Sequence, residues 1–351
     1  MADAASPASQ YMAELLYSGS PRCLGRIPHL PVRHKRVKIV IVTPAAAQVH
    51  TGNRTTANRW AQLLVELGNQ VSVRQDGHQE ECDLLIALHA WRSFPAIQRF
   101  RQERPLAPLI VAMTGTDLYG DLENSEEAHC SLELASRIVV LQALGVEAVP
   151  ENARRKVRVI YQSAKHAPTS PREAGCFQVC LLAHVRPVKD PLLAAYAVRD
   201  LPPSSNIRLK HAGAVLDADL GRLVDAEQAS NPRYQWLGPL SHENAMDLLA
   251  RSHLLVLTSR LEGGANVISE AIVASTPVIS SLIAGSVGIL GKDYAGYFPV
   301  GDMVALRKQL HRAELDHGFY RDLQGRIARL RPLVSPEHER NAWRDLLYEL
   351  S

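Results

Sequence analysis

Ser259-Arg-Leu-Glu-Gly-Gly-Ala-Asn-Val-Ile-Ser-Glu-Ala271 is the stretch on which the reading of this chain turns. The run before it, His253-Leu-Leu-Val-Leu-Thr258, has the length and β-propensity of a short buried strand. Asn266 to Ala274 contains no breaker and places apolar residues at helical spacing. The segment therefore reads as strand, glycine loop, helix. A helix start presents unpaired N–H groups and a partial positive charge, and Gly263 and Gly264 allow close approach to the backbone, so a phosphate is the natural occupant of Gly263, Gly264, Ala265 and Asn266. Asn266 and Glu270 are four residues apart and share a helix face. A carboxylate repels phosphate, so Glu270 suits hydroxyls such as those of a ribose, and Glu262 on the loop suits a sugar. Each hydrogen bond to such a charged group is worth roughly 1.5–3 kcal/mol. A solvated loop acid and an exposed helix acid would show the same spacing, which leaves both readings open at this level.

Working outward, the same alternation recurs along the chain. Val37–Val42, Val71–Val73, Asp83–Leu88, Leu109–Met113, Arg137–Leu141 and Val157–Ile160 read as strands of a first half. Between the first two, Ala57, Trp60, Ala61, Leu64 and Leu67 recur at helical spacing and Gly68 stands as a C-terminal cap. Phe177–Leu182, Ile207–His211, Tyr234–Trp236, Leu254–Thr258 and Pro277–Ser280 read as strands of a second. Strands alternating with helices predict an α/β chain of two doubly wound, Rossmann-like parallel sheets facing across a cleft, with ligands at the C-terminal strand ends. The expected organisation is a flexible extension over 1–36, a first domain over 37–165, and a linker over 166–175 rich in Pro, Ser and Thr. A second domain is expected over 176–334, then a terminal helix over 335–351 packing back toward the first. Closure of the halves about the linker is expected, because a reactive centre in the cleft must exclude water.

Composition narrows the partners. The chain has 351 residues, more than one core usually holds, and its net charge of +3 with 5% aromatic residues argues against nucleic acid. Five scattered cysteines (Cys23, Cys82, Cys130, Cys176, Cys180) form no C-x-x-C pair; Cys176 and Cys180 read as buried thiols on one face of a strand, which fits a reducing compartment. No stretch has the length of a transmembrane helix and the N-terminus lacks the apolar core of a signal peptide, so a cytoplasmic protein without stable membrane insertion is expected. Asp217-Ala-Asp219 has the form of a metal-binding pair but precedes a helix, where acids are expected at the start; no metal is assigned. The basic runs Arg154-Arg-Lys156 and Arg307-Lys308 read as solvated faces.

With two such halves and the spaced glutamates in hand, the chain resembles the GT-B fold, family 4 glycosyltransferases. The resemblance covers about residues 37–351 and is densest from Trp236-Leu-Gly238 through Glu262-Gly-Gly and Glu270-Ala to Pro277-Val-Ile and Gly285. It implies a retaining transferase that binds a nucleoside diphosphate sugar, with Glu270 on ribose, Glu262 on the sugar and the helix start as pyrophosphate cradle. The family's Arg and Lys after the first strand of the second half correspond to Ala183-His-Val-Arg-Pro-Val-Lys189: Lys189 fits, and His184 and Arg186 compete for the other place, with Arg186 favoured. The helix dipole alone supplies only about 0.3–2 kcal/mol and cannot neutralise a departing diphosphate.

The first half is similar to a narrower group, the selenosugar synthases of selenoneine biosynthesis. Gly52-Asn-Arg-Thr-Thr-Ala-Asn-Arg-Trp-Ala61, Leu88-His-Ala90, Thr114-Gly-Thr-Asp-Leu-Tyr119 and Ile160-Tyr-Gln-Ser163 carry that resemblance. It implies transfer from a UDP-sugar such as UDP-GlcNAc to selenophosphate, with UDP and phosphate released and no cofactor beyond the UDP-sugar co-substrate. Gly52, Asn53 and Arg54 at a helix start suit an anion, and Arg59 is a second cation or a solvated helix residue. Thr114, Thr116 and Asp117 follow a strand and are expected to face the cleft, Asp117 alternatively capping a helix; His89 is a further cleft candidate. An anionic selenium nucleophile needs no strong base, so none is assigned. A retaining transferase with a hydroxyl acceptor and a UDP-sugar epimerase or hydrolase remain alternatives.

Overall fold

The computed structural model describes residues 36–44, 52–75, 81–165, 171–172 and 175–351. The expected extension, save Arg36, Cys23, and most of the linker lie outside the described residues.

Among the described residues, twelve strands form two sheets. The first holds β1 (Lys38–Val42), β2 (Gln70–Arg74), β3 (Leu84–Leu88), β4 (Leu109–Met113), β5 (Arg137–Val140) and β6 (Val157–Val159), in the order β2-β1-β3-β4-β5-β6. The second holds β7 (Phe177–Leu182), β8 (Ile207–Ala212), β9 (Tyr234–Trp236), β10 (Leu254–Leu257), β11 (Val278–Ser281) and β12 (Tyr297–Phe298), in the order β12-β11-β10-β7-β8-β9. All named pairings are parallel. The crossovers of the first sheet carry α1 (Gly52–Glu66), α2 (Phe94–Glu103), α3 (Thr116–Tyr119), α4 (Glu126–Leu134) and α5 (Gly145–Ala148). Those of the second carry α6 (Pro191–Arg199), α7 (Ala218–Ser230), α8 (His242–Arg251), α9 (Asn266–Ala274) and α10 (Ala284–Leu290). After β12 come α11 (Met303–Leu315), α12 (His317–Arg329) and α13 (Pro336–Tyr348).

The period of two along a strand divides the first core. Ile39 and Ile41 of β1 join a cluster with Trp60 and Leu64, while Val40 and Val42 join Val111 and Met113 on the opposite face. The first of these faces also takes in Trp343 and Leu346 of α13, so the last helix of the chain completes the core of the first sheet. The Trp60 and Trp343 rings meet edge to face at 4.8 Å, both fully buried. Gly68 ends α1 with φ +92°, a conformation that glycine adopts without strain. β12, only two residues long, is too short to carry a sequence signature.

Several polar features proved local. Asp217 accepts the Leu220 N–H and so caps α7. Arg154 and Lys156 donate to backbone carbonyls of Val149, Glu147, Leu132 and Glu133. Burial pushes the Cys180 thiol up to about 12, which leaves it unreactive. Among the described residues no helix is long and apolar enough to cross a membrane.

At the end of α13, Glu349 reaches Arg158 and Arg137 on β6 and β5 at 2.6 and 3.1 Å. Hydrogen bonds from Arg158, then Arg137, pull its carboxyl from the ordinary 4.5 to about 2. A depressed carboxylate contributes stability that is complete above the unfolded value and is lost as pH falls through the folded one. The Tm difference between the native chain and Glu349→Gln is therefore expected to be constant from neutrality to about pH 5 and to vanish near pH 2. A difference that grows with acidity would contradict this clasp.

Candidate active site

Strand order places the site. In the second sheet the direction of growth reverses between β7 and β10, and in the first between β1 and β3. Loops leaving the C-terminal ends of the strands at such a reversal diverge and open a crevice. The loop after β7 carries Arg186 and Lys189, and the loop after β10 carries Glu262. They meet there: Lys189 Nζ donates to Glu262 Oε1, which also accepts Ser259 Oγ at 2.7 Å. Glu262 Oε2 accepts no hydrogen bond from the described residues. Arg186 holds a buried Nε with no hydrogen-bond partner among the described residues, whereas His184 Nδ1 accepts the Ala214 N–H at 3.2 Å. A buried donor without a partner is costly unless a ligand satisfies it.

His211, which the sequence reading left as an ordinary strand residue, anchors this loop. It is fully buried; its Nε2–H donates to the Ala183 carbonyl and its Nδ1 accepts the Tyr234 hydroxyl, each at 2.8 Å. Burial pushes its imidazole down to about 4, so it is a neutral clamp.

α9 starts without a side-chain cap, its N-cap residue being Ala265. By contrast Ser125, Asp217, Ser241, Asp302, Asp316 and Ser335 each cap the helix they precede. The first amides of α9 thus stay available to an anion. Glu270, one turn along, lies 3.8 Å from His242 Nδ1 and accepts no hydrogen bond from the described residues. Burial pushes its carboxyl above the usual range, and the nearby His242 and Arg59 oppose that shift.

Gly263 and Gly264 also lie against the first half. A Cβ on Gly263 would stand 2.6 Å from Gly115 N and from the Thr114 carbonyl group, and one on Gly264 would stand 2.6 Å from Leu141 Cβ. The atoms that approach are those of the first half, so these glycines permit the halves to close.

On the opposite wall, a Cβ on Gly52 would lie 3.9 Å from Asn266 Nδ2, so the starts of α1 and α9 face one another. Asn266 Nδ2 donates to Thr56 Oγ1 at 3.3 Å, and Asn53 and Arg54 occupy the intervening first turn, half-buried. His89 and Thr116 come together at the ends of β3 and α3. Arg92 N–H donates to His89 Nδ1, which puts the ring proton on Nε2, 3.0 Å from Thr116 Oγ1. His89 sits at φ +75°, a costly conformation for a side-chain-bearing residue, and burial pushes its imidazole down against the charge of Asp117. Asp117 does not face the cleft as expected. It is fully buried, and its carboxylate accepts the N–H groups of Ala90, Thr114 and Gly115 at 2.8–3.0 Å. Its chemistry is consumed in shaping the loop that carries Thr114 and Thr116.

Residues 132–328 match the family model described as Glycosyl transferases group 1. The chain belongs to this family, and it is a glycosyltransferase. Over 296 residues the group 1 glycosyltransferase is 24% identical to Glycosyltransferase 1 domain-containing protein 1 of Xenopus tropicalis, a match spanning 76% of this chain and 86% of that protein. Its fold is shared with Anabaena Alr3699/HepE, solved in complex with UDP and glucose (TM-score 0.71, 15% identity, 90% of this chain and 100% of that one). It is shared as well with sucrose-phosphate synthase of Thermosynechococcus elongatus (TM-score 0.72, 17% identity, 90% and 99%). The two doubly wound sheets are thus the GT-B arrangement.

Two further residues of this glycosyltransferase, Gln162 and Glu339, join the site without a role expected for them. Gln162, 4% exposed, donates to the Gly264 carbonyl across the cleft and accepts from Thr56 and Arg59. Its place just after β6 was a usable signal, since that is a C-terminal strand end. Of the two roles open to Arg59 in the sequence, the solvated one is excluded by its bonds to Glu339, Asn266 and Gln162, and Glu339 itself carries no sequence signal. It sits on a helix of ordinary amphipathic pattern, and only the return of α13 buries it.

Proposed function

We propose that this glycosyltransferase transfers the sugar of a UDP-sugar, of the UDP-GlcNAc type, to selenophosphate, as selenosugar synthases do in selenoneine biosynthesis. The observation that carries the reading is the meeting of the α1 and α9 starts, which lines the acceptor wall with amides, Asn53 and Arg54. Asp117 is occupied by backbone amides, and burial weakens His89 as a base, with Asp121 3.6 Å from its Nε2. An anionic selenium nucleophile needs no strong base.

On this reading Glu270 accepts ribose hydroxyls, Glu262 the sugar hydroxyls, and the α9 start with Arg186 and Lys189 holds the diphosphate. The complex of Anabaena Alr3699/HepE with UDP-glucose supports a UDP-sugar donor for the fold. Selenium attacks the anomeric carbon, the carbon–oxygen bond to the β-phosphate breaks with its electron pair leaving on UDP, and the carbon–selenium bond forms. Water then cleaves the selenium–phosphorus bond, releasing phosphate and the selenosugar. Arg186 and Lys189 offset the charge that develops on UDP.

The test is to incubate the protein with UDP-GlcNAc, with and without selenophosphate, and to follow UDP and a selenium-containing sugar by mass spectrometry. UDP release is expected only with selenophosphate, and Arg54→Ala is expected to raise the selenophosphate KM by about tenfold or more, the loss of one charge-assisted contact. Release of UDP without selenophosphate, or no selenium-containing sugar, would sink the reading; free or epimerised GlcNAc would favour a hydrolase or epimerase.

A further inference from the structure

Arg59 stands in the second turn of α1, where the first half, α9 and the C-terminal helix meet. Its Nε donates to Glu339 at 2.9 Å, one Nη to Asn266 Oδ1 at 2.9 Å, and the other Nη to Gln162 Oε1 at 3.0 Å. Glu339 is fully buried and accepts Trp60 Nε1 at 2.7 Å and Ser163 N at 2.8 Å as well. A planar guanidinium held on three sides by charge-assisted or amide bonds has one orientation, unlike a solvated arginine. Its partner Asn266 heads the uncapped helix, and Glu270 lies on the same helix face one turn further on.

We propose that Arg59, oriented by Glu339, is a positioning residue for the nucleotide-sugar donor, supplying from across the cleft the hydrogen bond and the positive charge that set Asn266 and Glu270 for the donor's hydroxyls. The proposal rests on the reading of Glu270 as a donor ligand. Glu270 must be a carboxylate to accept those hydroxyls, and burial works against that form. The groups that oppose burial are His242 on α8 and Arg59 on α1. Arg59 belongs to the other half, so its contribution is complete only when the halves are closed, which couples closure to tight donor binding.

The sign of the pH effect follows. Donor binding that needs ionised Glu270 persists above the Glu270 pKa and falls away below it. Removing the Arg59 charge raises that pKa and moves the acid limb to higher pH. UDP binding to the full chain is to be measured by calorimetry between about pH 5 and 9. The proteins compared are the native chain, Glu270→Gln, Arg59→Gln, Arg59→Lys and Glu339→Gln. The native chain should show an acid limb that Glu270→Gln abolishes; if these two bind UDP alike at every pH, the donor reading of Glu270 itself fails. Given that limb, Arg59→Gln should move it to higher pH, with an added loss of UDP affinity on the acid side. Arg59→Lys, which keeps the charge but not the three-sided fork, and Glu339→Gln, which keeps Arg59 but loosens it, should weaken UDP binding at all pH values with the limb unmoved. An Arg59→Gln limb that superimposes on the native one overturns the proposal, as does native UDP affinity in Glu339→Gln. A merely structural Arg59 would lower Tm without moving the limb. Should Arg59→Gln not fold, a shifted limb in Arg59→Lys overturns it equally.

Discussion

Gly263→Ala is expected to lower turnover by about 10²-fold or more and to weaken UDP binding, while Tm changes little. The new Cβ would meet backbone, standing 2.6 Å from Gly115 N and from the carbonyl carbon and oxygen of Thr114. Backbone on two different sheets cannot be moved aside as a side chain can, so the halves must stay apart by the width of a methyl group. Misplacement of reacting groups by about 1 Å is enough for a loss of that order. The folded halves themselves keep their cores, because Gly263 has no left-handed φ and the clash exists only on closure. Gly325→Ala is the comparison: nothing lies within 4 Å of where its Cβ would stand. It should cost less, and equal losses for the two variants would refute the closure argument. Steady-state rates of UDP release with UDP affinities from calorimetry separate the cases.

Trp343→Ala is expected to destabilise the protein by about 3–5 kcal/mol, the usual cost of emptying a buried tryptophan site. That corresponds to a fall in Tm on the order of 10 °C for a chain of this size. Trp343 is fully buried on α13 and packs edge to face on Trp60 of the first sheet's core, so its loss detaches the terminal helix. Trp343→Phe should be far milder, about 1 kcal/mol. Its Nε1–H is buried with no partner among the described residues, and removing an unsatisfied donor recovers part of the lost packing. Thermal unfolding of both variants is the measurement; a Phe variant as unstable as the Ala variant would mean that the indole N–H is satisfied in solution.

Most strands were legible because they are apolar runs of four to six residues bounded by turns, as in Leu109–Met113 and Leu254–Leu257. Their alternation with helices fixed the doubly wound reading, and the start of α9 was legible through its glycines. Other features were hidden for definite physical reasons. Tyr297–Phe298 is too short to show a period. Asp117 has the sequence context of a cleft residue, yet its carboxylate is turned inward because three backbone N–H groups need an acceptor.

The sequence by itself determined the α/β class, the strand positions and the placement of Glu262, Glu270, Lys189 and the Gly52 helix start at strand ends, because these follow from periodicity and local backbone rules that act over a few residues. Tertiary structure alone decided what those residues touch. Glu339 reaches Arg59 across 280 positions of chain. Gly263 is glycine because a loop some 150 residues earlier presses on it. No local pattern records such a contact, since it arises only when two separately formed cores close on each other and a buried charge must find its partner.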